Sequence, residues 1–169
     1  MVVYLGNKRA GDGTLDSNLM NFLKSEGNVT IPYGTTKIKK RMFFNMQNLT
    51  DVKIPNSVTT IEKEGFAQSR KITSVDFGTS VTYIGDYAFQ NCTRMTNIAF
   101  SPVLKTIDNA AFFSCSSLAS ITIPNSVTSI HKNTFAGCIK LKEIRVDNTE
   151  NSISDAPWGA INATVIWLR

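Results

Sequence analysis

The chain has 169 residues, of which 42% are hydrophobic and 18% are charged, a composition typical of one soluble folded domain. It contains no apolar run near the roughly 18 residues that a membrane-spanning helix needs, which excludes that class of membrane protein. The net charge of +5 raises the question of a polyanionic partner, and the odd number of cysteines, three, argues against a closed disulfide framework.

Residues 1–27 do not share the pattern of the rest of the chain. Residues 2–5 are typical of a short strand, and the apolar residues between 15 and 26 recur at helical spacing. Gly27 stands where a helix C-cap glycine belongs. We therefore predict an N-terminal cap over 1–27, made of a strand and an amphipathic helix. The first nine residues lack the apolar core of a signal peptide, so we expect either a chain that is not exported by that route or a piece of a longer protein.

A unit of 23 residues recurs across 28–147. Two of its columns hold one residue type in all five copies: Ile38, Ile61, Ile84, Ile107 and Ile130, and Phe43, Phe66, Phe89, Phe112 and Phe135. A fixed period of this size predicts a solenoid, in which each unit buries its apolar face only by stacking on its neighbours. We predict about five units, of which the first, 28–48, is degenerate. The copy at 95–117 has its proline one position later, at Pro102, which predicts an altered turn there.

The copy at 118–140 shows the internal order of a unit. Ile121 alternates with polar neighbours, which is the period-two pattern of a half-buried strand. Pro124 then ends the hydrogen bonding of that strand and begins a turn. Near Asn133 we predict a short helical turn that buries Phe135. Stacking is then expected to pair the strands of successive units.

Residues 148–169 abandon the repeat and form the predicted C-terminal cap, with a final strand over 163–168. Trp158 and Trp167 are large apolar side chains. They suit the closing of a solenoid end, which otherwise exposes its apolar interior and an unpaired strand edge. A tryptophan pair can also serve as a ligand platform, and the sequence leaves both interpretations open.

The repeated unit has a recognisable motif. Its best copy reads Leu118-x-x-Ile121-x-Ile123-Pro124-x-Ser126-Val127, followed by Phe135-x-x-Cys138. This motif resembles the BspA-type leucine-rich repeat of bacterial surface proteins, and the runs 87–92 and 110–115 carry that family's Ala-Phe-x-x-Cys signature. The tail at 156–165 is similar to the ending often attached to these repeats.

The resemblance implies a fold and a function. The fold is an α/β solenoid with a parallel β-sheet on one face and short helical or extended segments on the other. The function is a non-enzymatic binding or adhesion module, at the cell surface or secreted, for a protein or glycan of a host matrix or another cell. Residues 3–8 resemble instead the start of some phage structural proteins, so an assembly role in a virion stays an alternative.

Three cysteines fall in one column of the repeat: Cys92, Cys115 and Cys138, where earlier units carry Met46 and Ser69. Cysteine-based zinc sites usually combine closely spaced cysteine pairs with a fourth ligand, and this column offers neither. We therefore predict buried structural thiols, with no metal and no cofactor.

The run at 37–41 is the densest cluster of positive charge. One unit further on, Glu62 shares a column with Lys39, and Glu64 shares a column with Arg41. We expect opposite charges to stack and to neutralise the patch, although each exposed pair contributes only about 0–1 kcal/mol. The run also lacks the interleaved aromatic residues of single-strand binders, so we predict no nucleic-acid partner.

His131 is the only histidine in the chain. Its column carries variable polar residues, and Asp108 stands one unit before it. No serine or cysteine nucleophile stands at a spacing that would complete a catalytic triad. We therefore predict that the chain is not an enzyme.

The outward positions of the predicted sheet form a polar strip along the solenoid. Repeat proteins of this shape usually build their binding surfaces there. The strip has charges at both ends and no aromatic anchor, so a merely solvated face is the alternative. The residues that we predict to bind a protein or glycan, from a monomeric chain, are Asp51, Lys53, Ser74, Asp76, Asn97, Ser120, Thr122, Glu143 and Arg145.

Overall fold

The computed structural model describes residues 27–150 and 152–169, in which the chain winds into a stack of rungs. In chain order its strands are β1 (Asn28–Thr30), β2 (Lys37–Ile38), β3 (Asp51–Lys53), β4 (Thr60–Ile61), β5 (Ser74–Asp76), β6 (Tyr83–Ile84), β7 (Asn97–Ala99), β8 (Thr106–Ile107), β9 (Ser120–Ile123), β10 (Ser129–Ile130), β11 (Glu143–Val146) and β12 (Thr164–Trp167). Their pairings are parallel, and the partners within the repeats are 23 residues apart, as Val52 and Val75 are. One sequence period is therefore one rung.

The strands form two faces. The first strands of the rungs build one face, divided into the sheet β1-β3-β5-β7 and the sheet β9-β11-β12. The second strands build another face as the sheet β2-β4-β6-β8-β10. The predicted solenoid with a parallel sheet on one face is confirmed, and a second parallel sheet stands beside it.

The predicted helical segments, and with them the α/β class, are wrong: the described part of the chain contains turns and no helix. Residues with positive φ recur four apart in these turns, such as Glu64 (56°) and Gln68 (64°), and a left-handed residue cannot continue a right-handed helix. Alternate amides also bond across rungs, as when Phe66 N donates to Ala88 O at 2.7 Å. A helix would use those amides internally. The segment around Phe135, predicted as helical, is one of these turns, and no membrane-spanning helix is found among the described residues.

The core is organised around the phenylalanine column. Its five rings are each 0% exposed. They stack on one another with centroid separations of 4.9, 5.0, 5.3 and 5.7 Å along the chain. Burial of each ring contributes about 1.5–3 kcal/mol, and each ring pair adds about 0.5–1.5 kcal/mol. Since every ring contacts the rung above or below, this stabilisation exists only in the stack.

The C-terminal end of the solenoid is closed by a paired strand and two tryptophans, whereas the strand and helix predicted before Gly27 lie outside the described residues. At the other end β12 pairs with β11, and Trp158 is fully buried, its Nε1–H donating to Ser154 O at 2.6 Å. Trp167 packs against it with ring centroids 6.5 Å apart. Trp158 thus has no free face for a ligand, and the division into caps and repeats stays a prediction.

Candidate binding surface

The nine strip residues lie on the first strands, at positions that alternate with buried ones. On β5, Val75 is buried while Ser74 is half-buried and Asp76 is exposed, as the period-two pattern predicts. The structure therefore places the strip on one face. It also divides the strip in two, because the face is interrupted between β7 and β9.

The half of the strip on β3 and β5 is a hydrogen-bonded network. Asp51 accepts bonds from the hydroxyls of Ser74 at 2.6 Å and Thr73 at 3.2 Å. The Ser74 bond is the main cause that holds the pKa of Asp51 below its ordinary value, against the smaller effect of partial burial. The Asp51 carboxylate is thus engaged by its own rungs, whereas Lys53 and Asp76 are exposed charges.

A cleft of about 270 Å³ opens on the other half, between β7 and β9. Five of the nine strip residues line it with two isoleucines: Asn97, Ile98, Ser120, Ile121, Thr122, Glu143 and Arg145. Arg145 Nε lies 2.6 Å from Glu143 Oε1, and the two side chains are 56% and 36% exposed. One rim of the cleft therefore presents both signs of charge without a net charge.

The cleft exists because the ladder of backbone hydrogen bonds between rungs is interrupted. Thr96 N donates to Thr73 O at 2.9 Å, and Lys142 N donates to Ala119 O at 2.9 Å. The equivalent bond from Ala119 to Thr96 does not occur, and β7 and β9 belong to separate sheets. Backbone polar groups need a partner or water, so the strand edges facing this cleft are open to solvent or to a ligand.

The rung that precedes the cleft carries the displaced proline, Pro102. Its turn is nevertheless closed by a bond from Leu104 N to Ser101 O at 3.1 Å, equivalent to the bond from Val127 N to Pro124 O in the next rung. The change therefore lies in the strand before the turn. There Phe100 stands where the later rungs carry isoleucine and valine, and its ring packs edge-on against Phe112 at 5.7 Å.

A second cavity, of about 400 Å³, lies on the turn segments and is missing from the sequence prediction. Its lining residues are Tyr87, Gln90, Asn109, Ala110, Phe113, Asn133 and Ala136. The column of residue 110 otherwise carries larger side chains, namely Arg41, Glu64, Tyr87 and Asn133. The alanine in that column is the sequence signal that could have revealed the cavity.

The cysteine column is internal. All three thiols are free and buried, which confirms their predicted burial. Each donates to the carbonyl oxygen 26 residues earlier, as Cys115 Sγ does to Phe89 O at 3.3 Å. Burial raises the pKa of each thiol, that of Cys138 to about 12. Among residues 27–150 and 152–169, no three side chains of the types that bind metals are grouped in a possible site.

The positive run at 37–41 is partly neutralised by the next rung. Arg41 Nε lies 3.3 Å from Glu64 Oε2, as the column register predicts, and its guanidinium also stacks over the Phe44 ring at 3.9 Å. Glu62 accepts a hydrogen bond from the backbone N of Lys40 at 3.0 Å. The cluster is therefore a set of contacts between rungs.

His131 and Asp108 do not form an acid–base pair. The Asp108 carboxylate accepts the hydroxyl of Tyr83, and this bond raises the pKa of Tyr83 to about 12. His131 is exposed, and its Nδ1 accepts from Asn133 N at 3.4 Å. Each of the two side chains thus has a partner on another residue.

Comparison with protein families gives a match to the BspA type leucine rich repeat region. The family model matches residues 20–142 and 105–159, with six copies. The matched ranges span the strip, the cleft between β7 and β9, and the cavity on the turns. A comparison with curated proteins gave no match.

Similar solved structures are bacterial leucine-rich repeat proteins. The T. pallidum leucine-rich repeat protein superposes with a TM-score of 0.71 at 23% identity, over 84% of this chain and 69% of that one. A leucine-rich cell surface protein of Faecalibacterium prausnitzii is 27% identical, over 83% of this chain and 31% of that one, with a TM-score of 0.54. A leucine-rich repeat protein of Eubacterium ventriosum is 30% identical, over 75% of this chain and 32% of that one, with a TM-score of 0.63. The chain thus spans about a third of the length of the last two proteins.

Proposed function

The chain belongs to the BspA-type leucine-rich repeat family, and on that premise we propose that it is a non-enzymatic adhesion module that binds a protein ligand on the strip face. The family contains repeat proteins, and one similar structure is a cell-surface protein. These relationships favour a surface or secreted location. Two of the similar proteins are much longer than the part that this chain matches. The partners of the whole protein are therefore part of the proposal.

The observation that carries the proposal is the cleft between β7 and β9. It lies where an otherwise continuous sheet face is divided, so that β7 and β9 are not paired with each other, and it is bordered by the Glu143–Arg145 pair. Backbone amides and carbonyls bind the backbone of an extended peptide by hydrogen bonds. The balanced charges at the rim favour a protein surface of mixed charge, because electrostatic complementarity selects the partner more than it adds affinity.

The test is binding of the purified chain to immobilised matrix proteins, mucins and whole cells. A double variant, Ser120→Arg with Thr122→Arg, fills the cleft with long side chains from two exposed positions. The matched control, Thr128→Arg with Ser129→Arg, places the same substitutions at exposed positions beside β10, on the other sheet. Saturable binding that is lost in the first variant and kept in the second supports the proposal.

Two results would count against it. Undiminished binding by both variants would show that the cleft is not the binding site and would remove the observation that carries the proposal. A chain that binds none of these partners but self-associates in light scattering would favour the alternative role, a structural element of an assembly such as a phage particle.

A further inference from the structure

We propose that the cavity on the turn segments is a binding site for a neutral saccharide. It lies on a different face from the strip, and the proposal does not depend on the protein-binding function of that face. Its volume of about 400 Å³ is within the range of roughly 300–1,000 Å³ typical of small-ligand pockets.

Two backbone hydrogen bonds between successive turns lie beside the cavity. Phe112 N donates to Thr134 O at 3.0 Å, and Ser114 N donates to Ala136 O at 2.8 Å. The opening results from side-chain size, since Ala110 is small where the neighbouring rungs carry Tyr87 and Asn133. A pocket bounded by small side chains is already open before the ligand binds, which lowers the cost of binding.

Three amide or hydroxyl side chains form a chain of hydrogen bonds along the cavity. Asn133 Nδ2 donates to Asn109 Oδ1 at 3.5 Å, and Asn109 Nδ2 donates to the Tyr87 hydroxyl at 3.3 Å. This arrangement leaves the Tyr87 O–H proton and the Asn133 carbonyl oxygen available at opposite ends, and Gln90 adds another amide. Groups that both donate and accept match ligand hydroxyls, which do the same.

An aromatic ring borders the polar groups. Phe113 is 36% exposed, although its ring is large and apolar. A pyranose has a C–H face that packs on such a ring and a rim of hydroxyls that reaches neighbouring amides. Pockets that combine an aromatic surface with a few placed polar groups are typical of small-ligand sites.

The lining of the cavity also indicates the charge of the ligand. Its residues are amides, alanines, a phenylalanine and a tyrosine, with no carboxylate and no basic side chain among them. Burying a charged ligand group without a partner is costly. We therefore expect neutral hexoses or N-acetylhexosamines to bind in preference to sialic acid or sugar phosphates.

The experiment is saturation-transfer NMR of the full chain with glucose, galactose, N-acetylglucosamine and sialic acid as probes, at concentrations above about 1 mM. We expect a signal for at least one neutral sugar and none for sialic acid. Phe113→Ala and Asn133→Asp should each weaken that binding about tenfold, which corresponds to about 1.4 kcal/mol. The control is Phe44→Ala. Phe44 lies in the same repeat column as Gln90 and Phe113 but two rungs before Gln90, so removal of its ring should leave sugar binding unchanged.

The outcomes separate this site from the strip. Failure of every neutral sugar to bind, equal binding of sialic acid, or an undiminished signal in Phe113→Ala with unchanged thermal unfolding would each overturn the proposal. The cleft variant Ser120→Arg with Thr122→Arg should keep sugar binding. If it loses sugar binding instead, the saccharide is bound at the cleft and the turn cavity is not its site.

Discussion

Alkaline pH should destabilise the protein through its cysteine column. Cys92, Cys115 and Cys138 are buried, and burial raises the pKa of each thiol above its ordinary value of 9.0, that of Cys138 to about 12. In the unfolded chain the thiols titrate near the ordinary value, so above it the folded state holds more protons. This contribution to stability is complete below the unfolded pKa and is lost as pH rises toward the folded pKa.

The size of the effect follows from proton linkage. Each buried thiol lowers the free energy of unfolding by up to about 1.4 kcal/mol per pH unit in this window, and three thiols together lower it by up to about 4 kcal/mol per pH unit. That is a large part of the roughly 5–15 kcal/mol that stabilises a typical domain. Serine is the matched replacement, because Ser69 occupies the same column and its Oγ donates to Phe43 O at 2.8 Å.

The assay is urea unfolding followed by circular dichroism, at pH steps from about 7 to 10.5. The free energy of unfolding of the unmodified chain should fall more steeply above pH 9.0 than that of the triple cysteine-to-serine variant. Tyr83, whose pKa is raised to about 12 by its bond to Asp108, titrates in both proteins and cancels in the comparison. Parallel curves for the two proteins would refute the burial argument.

Other substitutions test the core, the C-terminal end and the turns. Phe89→Leu removes a ring whose centroid lies 5.0–5.4 Å from those of three other rings. It should lower the free energy of unfolding by about 2–4 kcal/mol. A loss below about 0.5 kcal/mol in urea unfolding would contradict the stacking argument. Trp158→Ala should cost about 3–5 kcal/mol, and hydrogen exchange should show the last rung opening first. Gly137→Ala places a Cβ 2.7 Å from Ser114 Oγ at a φ of +77° and should cost at least about 1 kcal/mol in thermal unfolding. Gly27→Ala, whose Cβ meets no atom of the described residues nearer than 3.4 Å, should be close to neutral.

The sequence predicted which side chains of the strip face outward, but not the hydrogen bonds and the cleft along the strip. Alternation around Val75 places Ser74 and Asp76 on the outer face because side chains in a strand point to opposite sides. The same alternation cannot show that Asp51 is engaged by its neighbours or that the face opens before Ser120. Those features depend on atoms of the adjacent rung.

The turn face was predicted less well. Apolar spacing around Phe135 suits one helical turn, so the pattern within one copy favoured a helix. In the structure the Phe135 amide bonds to the next rung instead, donating to Trp158 O at 2.9 Å, whereas Ala136 N bonds within the rung to Asn133 O at 3.2 Å. The cavity beside Ala110 was missed for a related reason, since it is bounded by side chains from several rungs.

By itself the sequence determined the stacking register, because side chains that repeat every 23 residues, such as Val52 and Val75, are buried together only when each copy lies on the next. It thereby determined the parallel strands, the phenylalanine stack and the outward strip. Only the tertiary structure decided whether turn amides bond within a rung or across rungs, and where two neighbouring strands separate. Hydrogen bonds act over about 3 Å, so these choices depend on the spacing between rungs, which no pattern within one copy contains.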